Sequence, residues 1–230
     1  MTGRLMETEV RAWRPQAFGR KRARDVRDPI IEPLWSGERI LLGVDGPGAE
    51  PEFLDVDGEA LEGPALVPIA AELREAIRTS ALVLDGYLTR QATMPDQATD
   101  LRVTAPSAGE YMSQMLFGRR SAQAAAMATS ARTTQADPGL PVGFVAIDML
   151  SIDDDVLLDV PLLERKRLLD AAFEERSLVR RTAFVRPPVD RWLIAWRGIG
   201  FRELAYKGAN SRYVPGRPND DWAAVMIPRD

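Results

Sequence analysis

Any chemistry in this chain of 230 residues has to be done without histidine and without cysteine, because the sequence contains neither. That removes imidazole acid–base catalysis, thiolate nucleophiles, disulfides and zinc sites built on those ligands. Lysine is scarce too, and Lys21, Lys166 and Lys207 are the three present. Arginine carries the remaining positive charge. A guanidinium stays protonated and makes a poor nucleophile, so amine chemistry at phosphorus or carbonyl centres is confined to three positions. A metal, if used, has to be a hard cation such as Mg²⁺ held by carboxylates.

Five segments, in order, carry residues whose spacing matters. The first is Ile31-Glu32-Pro33-Leu34-Trp35-Ser36-Gly37-Glu38-Arg39, and the second is Val83-Leu84-Asp85-Gly86-Tyr87. The third, Phe144-Val145-Ala146-Ile147-Asp148-Met149-Leu150, is followed by Pro161-Leu162-Leu163-Glu164-Arg165-Lys166-Arg167-Leu168-Leu169. The fourth runs from Gly200 through Arg202, Glu203 and Lys207 to Ser211-x-Tyr213-x-x-Gly216, and the fifth begins at Trp222 with Ala224 and Met226. Over roughly residues 28 to 228 this series resembles the covalent nucleotidyltransferases, specifically the adenylation domain of ATP-dependent DNA ligases. The family's first motif is commonly E-P-K-x-D-G-x-R, its second D-G-E, its third F-D-x-L with a P-L-x-E-R-R-x-x-L helix. The fourth is E-G-x-x-x-K with S-x-Y-x-x-G, and the fifth W-x-K-x-K. No single match is specific, but five in order, joined by the helix and the S-x-Y-x-x-G run, are.

The resemblance implies an α+β fold of largely antiparallel sheets flanked by helices. It also implies a nucleotide pocket lined by Glu32, Arg39, Asp85, Asp148 and Lys207, with Glu32 reading the adenine amino group and Arg39 near the ribose or phosphate. The chemistry of the family does not carry over. Its nucleophilic lysine position holds Leu34, and the neighbouring Asp position holds Ser36. Tyr87 replaces the Glu that helps hold ribose and metal, and Ile147 replaces the aromatic that stacks on adenine. Arg202 stands at the metal-linked Glu, unless the register slips to Glu203, and Ala224 and Met226 replace two phosphate-binding lysines. Adenylation needs an unprotonated amine in line with the α-phosphate, helped by cations. Nucleophile, metal ligand and phosphate clamp are lost together. The chain also stops shortly after the last motif, so the family's OB-fold domain is not expected within it.

The expectation is therefore a degenerate, non-catalytic relative that keeps weak affinity for ATP or AMP, with no Mg²⁺ site expected, and a nucleotide- or nucleic-acid-associated role in a DNA-repair setting. Two alternatives stay open. An active enzyme would use a relocated nucleophile, with Lys207 the best candidate, or an OB domain lent by a partner. A structural interaction protein would have a filled pocket, with Asp85-Gly86 as a turn, Asp148 and Lys207 as an ion pair, and Arg39 paired with a carboxylate.

The elements that have to position these residues are legible in part. Residues 39–45, 52–56, 81–89, 142–149, 178–185, 201–207 and 222–227 read as strands, with a hairpin signal at Asp57-Gly58. Residues 68–80, 161–175 and 190–197 read as helices. The second of these has Leu162, Leu163, Leu168, Leu169 and Phe173 on one side. Trp192, Trp196 and Trp222 read as core. Residues 1–28 form a basic lead-in ahead of a domain spanning 29–230, and residues 90–141 give no clear pattern beyond a helix around Glu110–Leu116. Hydrophobic residues make up 45% and charged residues 28%, a globular composition. The net charge of −4 argues against nucleic-acid binding by the whole surface. Residues Arg11 to Arg27 hold seven cations against Asp25, and such an arm can contact DNA phosphates. A protein partner is the other expectation. No apolar run is long enough to cross a bilayer and the N-terminus has no signal-peptide core, so no membrane partner and a cytoplasmic location are expected.

Overall fold

The computed structural model describes residues 12–46, 48–93, 141–198 and 200–228. Most of the 90–141 segment, including the helix expected at Glu110–Leu116, lies outside the described residues, as does Arg11.

A large sheet and a small sheet form the body. The large sheet runs β4 (Glu52–Leu54), β3 (Glu38–Asp45), β5 (Ala81–Thr89), β6 (Gly143–Ile152) and β7 (Asp155–Val156), all antiparallel, and β8 (Val179–Arg181) adds to β6 in parallel. The small sheet runs β11 (Trp222–Met226), β9 (Glu203–Gly208) and β2 (Pro29–Pro33), also antiparallel. Residues 182–185 link the two: Thr182 N–H donates to the Ala146 carbonyl of the large sheet, and Val185 bridges to Ile31 of the small one. A third pairing, β1 (Ala17–Phe18) with β10 (Pro218–Asn219), ties the N-terminal segment to the C-terminal one. Mostly antiparallel sheets with three helices among the described residues make the α+β class expected from the sequence.

Alternation explains the strands. On β3, Ile40, Leu42 and Val44 point to one side, where they meet Leu82, Leu84 and Leu88 of β5. Helices α1 (Val67–Ala76) and α2 (Leu162–Ala172) cover that side. α1 supplies Ile69, Ala70, Leu73 and Ala76, an i, i+1, i+4, i+7 stripe, and the C-terminal half of α2 supplies Leu169 and Ala172. The third helix, α3 (Asp190–Gly198), buries Trp196 completely and Trp192 in part, against a cluster holding Ile31, Trp35 and Phe201.

Three sequence expectations change. Residues 178–185 pair as a strand only over Val179–Arg181, because the chain then crosses from one sheet to the other. Asp85-Gly86 is not a turn but the middle of β5. A Cβ on Gly86 would lie 2.4 Å from the Phe144 ring and 2.5 Å from the Val145 carbonyl, so this glycine serves close packing of β5 on β6. The buried face of α2 is Leu162, Arg165, Lys166, Leu169 and Ala172, not a leucine face alone.

Candidate functional site

Strand β2 did not stand out in the sequence as a strand, yet it sets the site. In the small sheet, residues directly opposite share a face. Ile30, Lys207 and Trp222 form one row across it. Glu32, Ala205 and Ala224 form the next, and Glu203 with Met226 the last. On the large sheet, the face turned away from α1 carries Arg39 opposite Tyr87, and Leu41 opposite Asp85, which in turn lies opposite Asp148.

A belt of charge results. Arg39 donates from Nε to Asp85 Oδ1 at 3.0 Å and from Nη2 to Oδ2 at 2.6 Å. Asp85 is fully buried and also accepts from the Tyr213 hydroxyl at 2.7 Å. That hydroxyl in turn accepts from the Gln16 N–H at 2.9 Å, so the N-terminal segment is bonded to the residue that holds Asp85. Arg165 donates to both oxygens of Asp148, at 2.9 and 2.7 Å, and to the Val160 and Ser211 carbonyls. Glu32 lies between two ammonium groups. Lys166 Nζ is 2.5 Å from its Oε1, and Lys207 Nζ is 2.7 Å from its Oε2. Lys166 Nζ also donates to the Ile147 carbonyl at 2.6 Å. The Lys207 ammonium sits 4.0 Å from the Trp222 ring centre, a cation–π contact, with no aligned hydrogen bond. Arg39 stacks 5.8 Å over Tyr87 and 5.9 Å over Trp222, so the belt separates two apolar clusters.

Four cations thus face three carboxylates in a nearly dry interior. Burial is the main cause that pushes Lys207 down to about 8. Glu32 opposes the shift, and the neighbouring Lys166 ammonium adds to it. Burial would raise Asp148, but the Arg165 guanidinium outweighs it and holds the carboxyl below its ordinary value. Burial, then the Asp85 charge, lifts the Tyr213 hydroxyl well above 10, so it acts as a donor.

The structure therefore brings together Glu32, Arg39, Asp85, Asp148 and Lys207, the residues expected to line a pocket. It corrects one pairing: Asp148 pairs with Arg165, and Lys207 with Glu32, because α2 places Arg165 and Lys166 between the sheets. Sequence reading missed Arg165 and Lys166 as members of this group. The signal was available, since positions 162, 165, 166 and 169 follow the i, i+3, i+4, i+7 pattern of a buried helix face. It was hidden by the rule that charged residues lie outside.

The substituted positions sit differently. Leu34 is half-buried against the cluster of Trp35, Tyr87, Ile147 and Trp196, with its N–H donated to the Glu203 carbonyl. Ser36 is exposed and donates its hydroxyl to Gln91. Beside it, Gly37 has φ 135 and a Cβ there would meet the Leu88 carbonyl at 2.2 Å, so the motif's glycine is required by its backbone. Arg202 and Ala224 are exposed, and Met226 is 53% exposed.

As arranged, the site does not fit a bound nucleotide without breaking these pairs. Glu32 is shared by two lysines, Asp85 has three hydrogen bonds, and Asp148 is held by Arg165 and the Met149 N–H. Nor does it fit Mg²⁺: among the described residues no group of three or more carboxylates converges, and those of the belt are engaged by cations.

No protein-family model matches the chain. It is similar to a probable DNA ligase of Streptomyces coelicolor, with 34% identity over 124 residues, 51% of this chain and 24% of that protein. It is also similar in structure to the ligase domain of LigD from M. tuberculosis. The TM-score is 0.59 at 22% identity, over 93% of this chain and 59% of that one. A mycobacterial DNA ligase D complexed with ATP and MES gives the same TM-score and identity, covering 93% and 60%. The chain spans about a quarter of the curated relative and about three-fifths of these structures. It has the nucleotidyltransferase fold of a DNA ligase domain.

Proposed function

We propose that this chain is a ligase-like adenylation scaffold that does not form a lysyl adenylate and serves as a nucleotide- or nucleic-acid-associated module. The observation that carries this reading is the state of the belt. The retained carboxylates Glu32, Asp85 and Asp148 are spent on the protein's own cations, while the nucleophile position is a leucine packed on an apolar cluster. Affinity for ATP or AMP is weak on this reading, since a nucleotide has to displace internal ion pairs that are costly to break. The test is incubation of the full chain with labelled ATP and Mg²⁺. No acid-stable covalent adenylate is expected, and its appearance would end the proposal.

One observation favours a second reading, an enzyme with a relocated nucleophile. A lysine near 8 has a usable fraction of free amine at neutral pH, and Lys207 is that lysine. Against it, Lys207 is 1% exposed and covered by Trp222. An adenylate that survives Lys207→Arg rules this second reading out.

DNA is the partner proposed for the N-terminal arm. Lys21 is 46%, Arg22 68% and Arg24 72% exposed, and their acidic neighbours Asp25 and Asp221 leave a positive balance. Exposed pairs of this kind are weak enough for phosphates to compete.

A further inference from the structure

Away from the charge belt, the link from β3 to β4 meets the link from α1 to β5. Between them lies a cleft of about 340 Å³. Val44, Ala49, Pro51 and Ile77 give it an apolar lining, and Val44 belongs to the core cluster on the α1 side of the large sheet. Gly46 and Gly48 line it as well. They have φ 134 and 74, and a Cβ on either would meet nothing within 4 Å, so backbone there faces open space that a ligand can approach closely. The polar lining is Arg74, Arg78, Thr79 and Ser80.

Charge in this cleft is one-sided. Arg74 donates to Glu50, and Arg78 donates to Glu174 at 2.9 Å. Neither glutamate lines the cleft, and among the described residues no carboxylate does. Both ion pairs are exposed, with Glu50 at 75% and Arg78 at 60%, and exposed pairs are weak enough for another anion to compete. Two cations and two hydroxyls therefore border a concave space next to an apolar surface.

We propose that this cleft binds a small phosphate monoester, with its phosphoryl oxygens on Arg74 and Arg78 and its organic part against the apolar lining. A guanidinium offers N–H groups in a planar fork that matches phosphate oxygens two at a time. A dianion answers two cations, where a carboxylate answers one. Hydroxyls at Thr79 and Ser80 supply further donors of the kind a phosphoryl group accepts. The volume lies at the lower end for small-molecule sites, which limits the organic part to about the size of one ring. No residue of the belt lines the cleft, so this site stands apart from the nucleotidyltransferase reading.

The test uses the full chain, with phenyl phosphate and benzoate titrated by calorimetry into the unsubstituted protein, Arg74→Gln, Arg78→Gln, Glu50→Gln and Arg167→Gln. The fold is monitored by far-ultraviolet circular dichroism. Phenyl phosphate is expected to bind, and benzoate, with the same ring and a single charge, about ten-fold more weakly. Each of Arg74→Gln and Arg78→Gln is expected to weaken phenyl phosphate by about ten-fold. Glu50→Gln, which releases Arg74 from its pair, is expected to tighten it about two- to five-fold. Arg167→Gln, an exposed arginine on α2, is expected to change nothing. No binding of phenyl phosphate overturns the proposal. So does unchanged affinity in the two cleft variants, or a loss in Arg167→Gln as large as theirs, because the anion then follows surface charge at large. Benzoate binding as tightly as phenyl phosphate overturns the assignment to a dianion. Should either cleft variant lose its fold, Glu50→Gln decides, and no gain there overturns the proposal.

Discussion

The two faces of the large sheet are built on opposite terms. The face toward α1 and α2 is a dry apolar core, with Ile40, Leu42, Ile69, Leu73, Leu84 and Phe144 all fully buried. The face toward the small sheet holds seven charged side chains in an equally dry setting, with Asp85, Asp148 and Arg165 at 0% exposure. Apolar packing is non-directional and tolerates exchange among similar shapes. A buried ion-pair belt tolerates little, because each group is stable only through a named partner. The first face therefore holds by shape alone, and the second by specific pairs of charge.

The sharpest way to break this contrast is to delete one member on each side. Glu32→Ala leaves Lys166 and Lys207 together without a carboxylate. A loss of about 3–5 kcal/mol is expected from uncompensated buried charge, read as a shift of the urea midpoint. Leu73→Ala, on the other face, is expected to cost about 2–4 kcal/mol through cavity and transfer terms alone. The two losses should differ in pH dependence. The Leu73→Ala deficit stays flat from pH 6 to 9. The Glu32→Ala deficit shrinks as pH rises and the stranded Lys207 loses its proton.

These two faces also differ in how far the sequence foretells them. The apolar face is written locally: alternation on β3 and β5 and the stripe on α1 can be read from windows of a few residues, and the strand and helix positions follow. The belt is written in pairs that lie far apart in the chain. Glu32 meets Lys166 and Lys207, and Asp148 meets Arg165, only once the sheets close. Motif spacing located Glu32, Arg39, Asp85, Asp148 and Lys207, but not which cation answers which carboxylate. Asp148 was accordingly matched with the wrong partner, and Arg165 and Lys166 went unnoticed on a helix face that patterning expects to be leucine. The short strands β1, β7 and β10 have no local signal, since two residues of pairing are decided by the segments they join.

A smaller effect sharpens the belt's excess of positive charge. Lys207 is held near 8 in the folded chain, against an ordinary value of 10.5. Between those values the unfolded chain binds more protons than the folded one, so stability rises with pH across that window and the penalty is constant below it. The gain is roughly 3–4 kcal/mol at most. The upper limit is set by Tyr87, Tyr206 and Tyr213, whose burial favours the neutral phenol and whose ionisation above about 10 favours unfolding. The melting temperature is expected to climb from pH 7.5 to 9.5. In Lys207→Met the climb disappears. A flat profile in the unsubstituted chain would mean that Lys207 keeps an ordinary proton affinity and that the belt is not cation-rich in effect.

Leu34→Lys probes whether an amine at position 34 is enough to give the self-adenylation that the proposed function denies this chain. The change removes packing on the Trp35 and Ile147 cluster and adds a cation two residues from Glu32, so a loss of about 1–2 kcal/mol is expected. No covalent adenylate is expected from labelled ATP and Mg²⁺, because Ser36, Tyr87, Arg202, Ala224 and Met226 remain. A covalent adenylate would show that the rest of the belt yields to a nucleotide, and that the proposed non-catalytic state rests on one side chain.

The smallest effect comes from the arm, where charge is arranged in the opposite manner to the belt. Arg22 pairs with Asp25 at 2.8 Å, yet both are exposed, and water screens the pair. Arg22→Ala is therefore expected to leave the melting temperature within error. If the arm meets DNA phosphates, the same substitution acts where stability does not. Binding of a fluorescent duplex weakens uniformly across sequences, and the slope of log affinity against log salt falls by about one, the signature of one lost phosphate contact. An unchanged slope across Lys21, Arg22 and Arg24 variants would remove DNA from the arm. It would leave the belt as the part of the molecule in which the proposed nucleotide-associated role is to be tested.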